Sequence, residues 1–364
     1  MTSEDISDTK ENRSARRSVS SVRKKLLFSL ITLGTLALIL ELVLRSCGLA
    51  PTGVITVCYI EDGDEGYYEP APNQILVNNI VPELPHEVTV NAMSMRRTDE
   101  IDLEDKNVTR FVCIGDSYTW GTGVNDWETY PHYLEGMLNA SGESKRYEVL
   151  NGGIVGTTIS DQHVKYRLRF AAIEHEALLL LIAKGDIREH LVKQQNARLP
   201  VMVKSTNPWV LVVKKKLNRL AMVNAFKFLR MKYFFKPYTG DTPPRLLVRA
   251  EDRDKYLGRL DAVVDLGRQR CGCVVLGYIG GLDEDYRAVE AYSQKKNLPF
   301  MAFESYKAIH GSHLKTDLKP YDGHFNKTGN RMLARMFLEL LMSTAPVLDP
   351  IKGEESRPIT SAGR

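Results

Sequence analysis

Cysteine is scarce in this 364-residue sequence, and its spacing is irregular. An odd number of cysteines at such spacings does not predict a disulfide framework; the five are Cys47, Cys58, Cys113, Cys271 and Cys273. Cys271 and Cys273 are separated by one residue, whereas redox and zinc motifs separate them by two, and no pair of histidines lies nearby to complete a zinc site. We therefore expect buried, unreactive thiols and no metal.

Motifs that bind cofactors are also missing. The sequence has no Walker loop, no dinucleotide-binding glycine fingerprint and no cluster of metal-ligating residues. We therefore expect no cofactor. The formal net charge of +4 is small for this length, so the overall charge indicates no particular partner.

Charge is absent from residues 26–40, LLFSLITLGTLALIL, and the apolar run resumes after Glu41 and ends at Arg45. Residues 26–45 thus approach the ~20 residues that a helix needs to cross a hydrocarbon core. Six basic residues within positions 13–25 precede the run and by the positive-inside rule hold the N-terminus in the cytoplasm; they are Arg13, Arg16, Arg17, Arg23, Lys24 and Lys25. We predict a single-pass protein of the cytoplasmic membrane with its main domain outside, in the periplasm.

The ends of this anchor are predicted from composition. We assign residues 23–46 to the transmembrane signal anchor and residues 1–22, which are polar and serine-rich, to a disordered cytoplasmic tail. A cleaved signal peptide is the alternative, but no small-x-small cleavage site follows the apolar run. A lipoprotein cleaved before Cys47 is disfavoured because the bulky, charged Arg45 stands where a small or apolar residue is usual.

The exported part begins with a segment that has no long helical pattern. Residues 47–108 are rich in proline, glycine and acidic residues and contain only short extended runs. We expect an irregular lead-in that packs on the domain that follows, residues 109–345. The last residues, 346–364, are expected to be a flexible tail.

Within residues 109–345, apolar runs alternate with amphipathic segments. The extended runs are RFVCI, YEVLN, ALLLLIA, CVVLGYI and PFMAF, and the later helical patterns cover residues 160–172, 251–270, 284–296 and 327–342. Nearly continuous apolar strands that alternate with helices are typical of parallel sheets covered on both faces. The predicted fold class is α/β, a three-layer sandwich with a central parallel sheet of about five strands, plus the N-terminal transmembrane helix.

A basic, partly helical insert interrupts this alternation at residues 187–245. Between Ile187 and Gly240 the sequence has twelve Lys or Arg residues and one acidic residue, Glu189. Aromatic residues are interleaved with the basic ones, a composition that suits anionic lipid or polysaccharide. Lys214, Lys215 and Lys216 are the candidates for such surface binding. A solvated cap with inward-packed aromatics is equally open, and nucleic acid is not expected for an exported domain.

The stretch CIGDSYTWG, residues 113–121, ends the first strand of the predicted sheet on Gly-Asp-Ser. Ligands bind beyond the carboxyl ends of parallel strands, so the position of Ser117 makes it a candidate nucleophile. A serine there is equally a candidate helix cap. A nucleophilic serine needs a base and an orienting acid. His324, in a turn before the last helix with Asp322 two residues earlier, is the best candidate base.

Four stretches resemble the motifs of the SGNH/GDSL hydrolase superfamily and occur in the same order as in that family. They are FVCIGDSYTWGTG, VLNGGIVGTT, LLIAKGD and YDGHFNKTGNRMLA. The lead-in VNAMSMRRTDEID is similar to that of membrane-anchored, exported bacterial members. The resemblance covers about residues 88–345 without the insert. It implies a flavodoxin-like α/β fold and a serine hydrolase.

The resemblance also implies a role for each matching residue. Ser117 corresponds to the nucleophile, His324 to the base and Asp322 to the acid. The oxyanion hole would be formed by the backbone amides of Ser117 and Gly156 and by the third motif at position 185.

Two positions depart from the family pattern. The third motif, G-x-N-D, is AKGD here, so Gly185 replaces the asparagine whose side chain donates to the oxyanion. Loss of one such donor typically costs about 10²–10³ in rate. In addition, one residue separates Asp322 from His324, where many members have two.

The sequence thus predicts a membrane-anchored esterase or deacylase that cleaves O-acyl esters outside the cytoplasm, on a glycan or lipid. Small acyl groups, acetyl above all, on a cell-surface polysaccharide are what the resemblance implies. An O-acyltransferase that uses the same serine is the first alternative and would need a membrane partner that supplies the acyl group. An inactive domain that binds glycan or lipid is the second, and Gly185 is its best support.

Overall fold

The computed structural model describes residues 3–47, 52–53, 55, 57–62, 65–78, 84–140, 146–195, 209, 212–213, 216–217, 220–233, 248–319 and 322–344. Two candidate surface-binding residues, Lys214 and Lys215, lie outside these ranges, as does the predicted tail at residues 346–364. Lys216 is described and is exposed.

The N-terminal helix α1 runs from Ser3 to Ser46. Its part from Arg23 to Ser46 is long and apolar enough to cross a membrane: an 18-residue window within it has a mean hydropathy of 2.3, and 6% of that window is buried. Residues 3–22, predicted to be disordered, are therefore helical in the structure. The physical reason is that extending an existing helix costs far less than nucleating one, so the polar, serine-rich segment continues the apolar helix.

Five short strands follow α1 where the sequence predicts an irregular lead-in with short extended runs. They are β1 (Thr52–Gly53), β2 (Val57–Asp62), β3 (Glu65–Pro70), β4 (Gln74–Asn78) and β5 (His86–Val90). β2 and β3 form an antiparallel hairpin, and β1, β4 and β5 form a three-stranded sheet in that order. Their regularity was missed because strands this short, separated by Pro and Gly, carry too few residues to show a clear period of two.

A five-stranded parallel sheet forms the centre of the main domain, as predicted. Its strands are β6 (Val108–Ile114), β7 (Arg146–Asn151), β8 (Ala177–Ala183), β9 (Cys273–Ile279) and β10 (Phe300–Ala302). Their order across the sheet is β7-β6-β8-β9-β10, and every neighbouring pair is parallel. This is the doubly wound order of flavodoxin-like sheets.

The remaining helices are α2 (Ser117–Trp120), α3 (Tyr130–Asn139), α4 (Ile159–Lys165), α5 (Asp186–Gln195), α6 (Ala221–Tyr233), α7 (Ala250–Arg270), α8 (Glu284–Lys296), α9 (Phe303–His310) and α10 (Lys327–Thr344). A 3₁₀ turn, Asp126–Glu128, precedes α3, and a π-helical turn, Tyr166–Phe170, extends α4. Most of these match the predicted helices within two residues. α9 has no counterpart among the predicted helices.

Helices cover both faces of the sheet, which gives the three predicted layers. Alternate residues of the fully buried strand β8 point to opposite faces: Leu178 and Leu180 belong to one core, Leu179 and Leu181 to the other. The first core is completed by α4, α7 and α8, and the second by α3, α9 and α10. Burial on both faces explains why β8 reads as an unbroken apolar run.

The lead-in strands pack against the main domain at the elements that follow β6 and β7. Leu76 of β4 and Val88 and Val90 of β5 share an apolar cluster with Trp120 at the end of α2. Tyr67 of the hairpin packs with Ile154, in the loop before α4. Both contacts lie at the loops that carry the predicted site.

Candidate active site

The predicted site residues lie at the carboxyl ends of β6 and β8. In the strand order of this sheet the winding direction reverses between these two strands, and ligands bind in the crevice at such a switch point. Ser117 follows the end of β6, and Gly185 follows the end of β8. The fold therefore brings the first and third sequence motifs to neighbouring strand ends.

The helix that starts at Ser117 is capped by the residue before it. The Asp116 side chain accepts a hydrogen bond from the backbone N–H of Tyr118 at 2.9 Å. The hydroxyl of Ser117 is thus not used as a helix cap. Instead, its Oγ lies 2.7 Å from Nε2 of His324, a residue 207 positions later in the chain.

His324 in turn contacts the predicted acid. Its Nδ1 forms a short hydrogen bond with Oδ1 of Asp322, and the same oxygen accepts the backbone N–H of His324 at 2.7 Å. The spacing of one residue therefore allows the contact, because the Asp-Gly-His turn folds back on a single carboxylate oxygen. Ser117, His324 and Asp322 form one continuous chain of hydrogen bonds.

The ring of Tyr118 holds the histidine from one side. Its centroid lies 4.8 Å from that of His324 and 5.1 Å from that of Phe325. The Tyr118 hydroxyl donates a hydrogen bond to the carbonyl of Gly323 at 3.3 Å. Since Tyr118 is next to the candidate nucleophile, α2 positions the serine and also orients the imidazole.

The loop after β7 is tied to the loop after β6. Gly152 donates its N–H to the carbonyl of Cys113 at 2.8 Å, and Ile154 donates to that of Gly115 at 3.3 Å. A Cβ on Gly153 would lie 2.2 Å from the backbone nitrogen of Trp120, so this position accepts only glycine. Gly156, the predicted oxyanion donor of this loop, is exposed and has a φ of +73°.

At Gly185, the predicted oxyanion position of the third motif, there is space for a side chain but none is present. Gly185 has a φ of +101°, and no other atom lies within 4 Å of where its Cβ would be. The next residue, Asp186, accepts the backbone N–H of Ala183 at 3.0 Å and so fixes the turn. Lys184, the residue before Gly185, forms an ion pair with Asp283 at 2.9 Å.

The carboxyl groups around the site differ in the direction of their pKa shifts. Burial raises the pKa of Asp116 to about 6. Burial, together with the negative charge of Asp116, also raises the pKa of Asp186 well above its ordinary value. For Asp322 burial acts in the same direction, but hydrogen bonds from His324 outweigh it, and its pKa is lowered.

Arg96, in the lead-in, was not predicted as a site residue. It is fully desolvated and donates hydrogen bonds to four backbone carbonyls, those of Glu87, Trp120, Gly121 and Val124, and to the carboxylate of Asp126. It therefore ties strand β5 to the segment just after α2. The two arginines of SMRRTD in the lead-in, part of the family resemblance, were the signal that marked this position.

No group of three or more metal-ligating side chains occurs within the described parts of the chain. All five cysteines are free thiols; Cys113 is buried in the sheet beneath the site. Burial raises the pKa of the Cys113 thiol to about 12, so it stays protonated near neutral pH. The chemistry available at this site is therefore that of a serine, a histidine and carboxylates.

The likeness of this chain to known proteins is found among solved structures. No model of a known protein family matches the sequence, and no curated protein matches it. Among solved structures, the chain is similar to a protein described as a lipolytic member of the G-D-S-L family from Desulfitobacterium hafniense DCB-2, at 14% identity and a TM-score of 0.40, covering 64% of this chain and 99% of that one.

Two further solved structures are similar to this chain to about the same degree. One is an acetylxylan esterase from Geobacillus stearothermophilus, at 16% identity and a TM-score of 0.39, covering 66% of this chain and 96% of that one. The other is an α/β hydrolase from the metagenome of Lake Arreo, Spain, at 14% identity and a TM-score of 0.39, covering 64% and 94%. Likenesses of this size assign no function.

Proposed function

We propose that this chain is a serine ester hydrolase of the SGNH/GDSL type, with Ser117 as nucleophile, His324 as base and Asp322 as orienting acid. The observation that carries the proposal is the continuous hydrogen-bonded chain from Ser117 Oγ through both nitrogens of the His324 ring to Asp322. Residues so far apart in sequence rarely meet in this order for structural reasons alone, and the same arrangement serves acyl transfer on unrelated folds.

The proposed reaction proceeds in two steps. Ser117 Oγ attacks the acyl carbon while its proton passes to Nε2 of His324, and the lowered pKa of Asp322 keeps the carboxylate charged to stabilise the imidazolium. The tetrahedral oxyanion is held by the backbone N–H groups of Ser117 and Gly156. Collapse returns the proton to the leaving alcohol and leaves an acyl-serine. Water, activated by the same histidine, then releases the acid.

We also propose where the reaction takes place and on what. The helix from Arg23 to Ser46 anchors the chain in the cytoplasmic membrane, with the preceding basic residues in the cytoplasm and the main domain outside. The substrate class is an O-acyl ester, an acetyl group on an extracytoplasmic glycan or lipid. An acyltransferase would use the same acyl-serine and pass the acyl group to a sugar hydroxyl, and it would require a membrane partner that supplies the acyl group.

The first experiment measures hydrolysis of p-nitrophenyl acetate by the full-length protein in mild detergent. We expect Ser117→Ala and His324→Ala to lose turnover and labelling by a fluorophosphonate. His310→Ala is the matched control, because His310 is exposed on α9 and its ring stacks on Tyr306, and it should retain both activities. Labelling that persists in Ser117→Ala would reject the nucleophile.

A second measurement separates the esterase from its alternatives. Comparing acetate, butyrate and octanoate esters, and then an acetylated glycan oligomer, identifies the acyl preference and the alcohol. Labelling of Ser117 without hydrolysis, followed by acyl transfer when a sugar acceptor is added, would favour the acyltransferase. If the folded protein shows no labelling and no turnover, the result would favour an inactive binding domain. Gly185, which lacks the side-chain donor, is the best support for that alternative.

A further inference from the structure

One acidic residue interrupts the apolar surface of the anchor helix α1. Glu41 is only 8% exposed, although its neighbours Leu38, Leu42 and Val43 are well exposed. Its two carboxylate oxygens accept the backbone N–H groups of Ala221 and Met222, each at 2.9 Å. Arg45, one turn later on α1, forms an ion pair with the same carboxylate at 2.8 Å.

These two amides belong to the first turn of α6, the helix of the basic insert. The first N–H groups of a helix have no acceptor within the helix, and a negative charge near them is favourable. Glu41 therefore caps α6 from another helix, 180 residues away in sequence. Ala221 is fully buried at this junction, so the insert and the anchor are joined by packing as well as by hydrogen bonds.

The position of Glu41 along α1 sets the depth of the junction. From Leu26 to Leu40 the helix carries no charge, and 15 residues at about 1.5 Å each span about 22 Å of a hydrocarbon core of about 30 Å. The cap thus falls in the outer part of the membrane, where a carboxylate without partners would be costly. The start of α6 must then lie at the same depth, at the outer boundary of the bilayer.

The described part of the insert presents apolar side chains to its surroundings. Trp209 is 77% exposed and Phe226 of α6 is 67% exposed. The other exposed apolar residues of the insert are Val212, Val213, Leu217 and Leu229. On α6, Phe226 and Leu229 are one helical turn apart.

Charge complementarity indicates what covers these side chains. The insert sequence between residues 187 and 240 has twelve basic residues against one acidic residue. Aromatic and apolar side chains on one side with Lys and Arg on the other are the composition of segments that lie in the headgroup region of anionic bilayers.

We propose that the exposed apolar side chains of the insert, Trp209, Val212, Val213, Leu217, Phe226 and Leu229, form a second membrane contact. This contact lies in the outer-leaflet interface on anionic lipid and is fixed to the anchor by the cap between Glu41 and α6. The main domain is thereby held at the bilayer surface with a defined orientation. This inference rests on the membrane location in the proposed function and is independent of the esterase chemistry.

The first test uses the fluorescence of Trp209 in full-length protein reconstituted into nanodiscs of phosphatidylcholine and phosphatidylglycerol. We expect lipids brominated near the headgroup to quench part of the emission, and we expect Trp209→Phe to lose that quenched part. Trp127, half exposed on the main domain, is the internal reference and remains unquenched. An equal response in the wild type and in Trp209→Phe would overturn the proposal, since the insert would then face water.

The same protein distinguishes lipid from polysaccharide. Addition of dextran sulfate to nanodiscs of phosphatidylcholine alone should leave the Trp209 emission unchanged. A shift with dextran sulfate, without quenching by brominated anionic lipid, would mean that the insert binds polyanionic glycan and would also overturn the proposal.

The second test addresses the cap itself through hydrogen exchange of residues 220–233 in nanodiscs. Glu41→Ala should accelerate exchange at the start of α6 by about tenfold, the expected effect of losing a helix cap. Glu41→Gln, which keeps one carbonyl acceptor, should have a smaller effect, and the exposed neighbour Leu42→Ala should have none. Unchanged exchange in Glu41→Ala would reject the junction.

The failure of this inference can be told apart from failure of the proposed function. Removing a charge makes α1 more apolar, so Glu41→Ala should still resist extraction of membranes with alkaline carbonate and should still hydrolyse p-nitrophenyl acetate. If the wild-type protein were itself extracted by carbonate, the membrane location would be wrong. If it stayed in the membrane but Trp209 were not quenched, only the second contact would be wrong.

Discussion

The aromatic ring of Tyr118 lies against the imidazole of His324, with a centroid distance of 4.8 Å and an angle of 45° between the ring planes. Tyr118 follows the candidate nucleophile directly, whereas His324 comes from a loop more than 200 residues later. The contact therefore connects the two halves of the site. It makes Tyr118 a positioning residue for the base.

Replacing Tyr118 should lower kcat and leave KM nearly unchanged, because the imidazole would lose its lateral support. An aromatic pair contributes about 0.5–1.5 kcal/mol, so Tyr118→Ala should reduce kcat about three- to tenfold. Tyr118→Phe keeps the ring and loses only the hydrogen bond to Gly323, and should come close to the wild type. Steady-state kinetics on p-nitrophenyl acetate check this. Equal losses in both variants would show that the hydroxyl, not the ring, is important.

Gly153 should tolerate no side chain. A Cβ there would lie 2.2 Å from the backbone nitrogen of Trp120, and this backbone has no room to move without displacing α2. Gly153→Ala should therefore lower the thermal unfolding midpoint by several degrees, as expected for overpacking of about 1–3 kcal/mol, and should lower activity as well.

Gly136 provides the matched control for this substitution. It lies inside helix α3, and nothing lies within 4 Å of its would-be Cβ. Gly136→Ala should raise the unfolding midpoint slightly, because alanine is favoured over glycine in a helix by about 0.5–1 kcal/mol. Thermal unfolding of both variants in the same detergent is the measurement. A stable, active Gly153→Ala protein would contradict the close approach of the two loops.

Gly185 tests whether the missing oxyanion donor can be restored. An amide side chain has space there, but the φ of +101° strains any residue with a Cβ by about 1–3 kcal/mol. Gly185→Ala carries the same strain without a donor, so the comparison of the two variants isolates the amide. We expect kcat/KM of Gly185→Asn to exceed that of Gly185→Ala by at least about tenfold, and by at most the roughly 10²–10³ that one well-placed donor supplies. Equal values would show that position 185 does not face the oxyanion.

Asp116 and Asp322 should have opposite effects on the pH dependence of stability. Burial raises the pKa of Asp116 to about 6, so between about pH 4 and 6 the unfolded chain releases a proton that the folded protein retains. Stability from this group falls as the pH rises through that window. Asp116→Asn keeps a capping side chain and removes the cost, so its unfolding midpoint relative to the wild type should be higher at pH 7 than at pH 4.

For Asp322 the sign is reversed. Its pKa is lowered in the folded protein, so the stability it contributes is present above its ordinary pKa and is lost as the pH falls through the lowered value. Asp322→Asn should therefore be destabilised relative to the wild type at pH 7 and approach it in acid. Thermal unfolding of both variants is measured from pH 7 down to well below pH 3.8, the ordinary pKa of an aspartate. Parallel pH profiles for the two variants would contradict the assignment of opposite shifts.

Local sequence patterns were sufficient for the sheet and for the choice of site residues. The unbroken apolar run at residues 177–183 predicted a strand buried on both faces, and this is β8. The Gly-Asp-Ser turn after the first strand and the Asp-Gly-His turn before the last helix are short motifs with a fixed spacing. Such features depend on residues a few positions apart, so they can be read without the fold.

Other features could not be predicted from the sequence because they depend on contacts between residues that are far apart in the chain. The lead-in strands are too short to show a period, and the buried hydrogen bonds of Arg96 depend on how β5 approaches the segment after α2. The helical state of residues 3–22 follows from their continuity with the anchor. Glu41 looked like an interruption of an apolar run until the structure placed the start of α6 against it.

The alternation of strands and helices, the apolar N-terminal segment and the residue types of the candidate site can be read from the sequence, since each follows from local periodicity, length or spacing. That Asp116 and not Ser117 caps α2, that a one-residue spacing lets Asp322 contact His324, and that Glu41 caps α6 became visible with the fold. These are hydrogen bonds whose partners are selected by packing. A carboxylate or hydroxyl has many acceptable partners, and the fold determines which one comes within 3 Å.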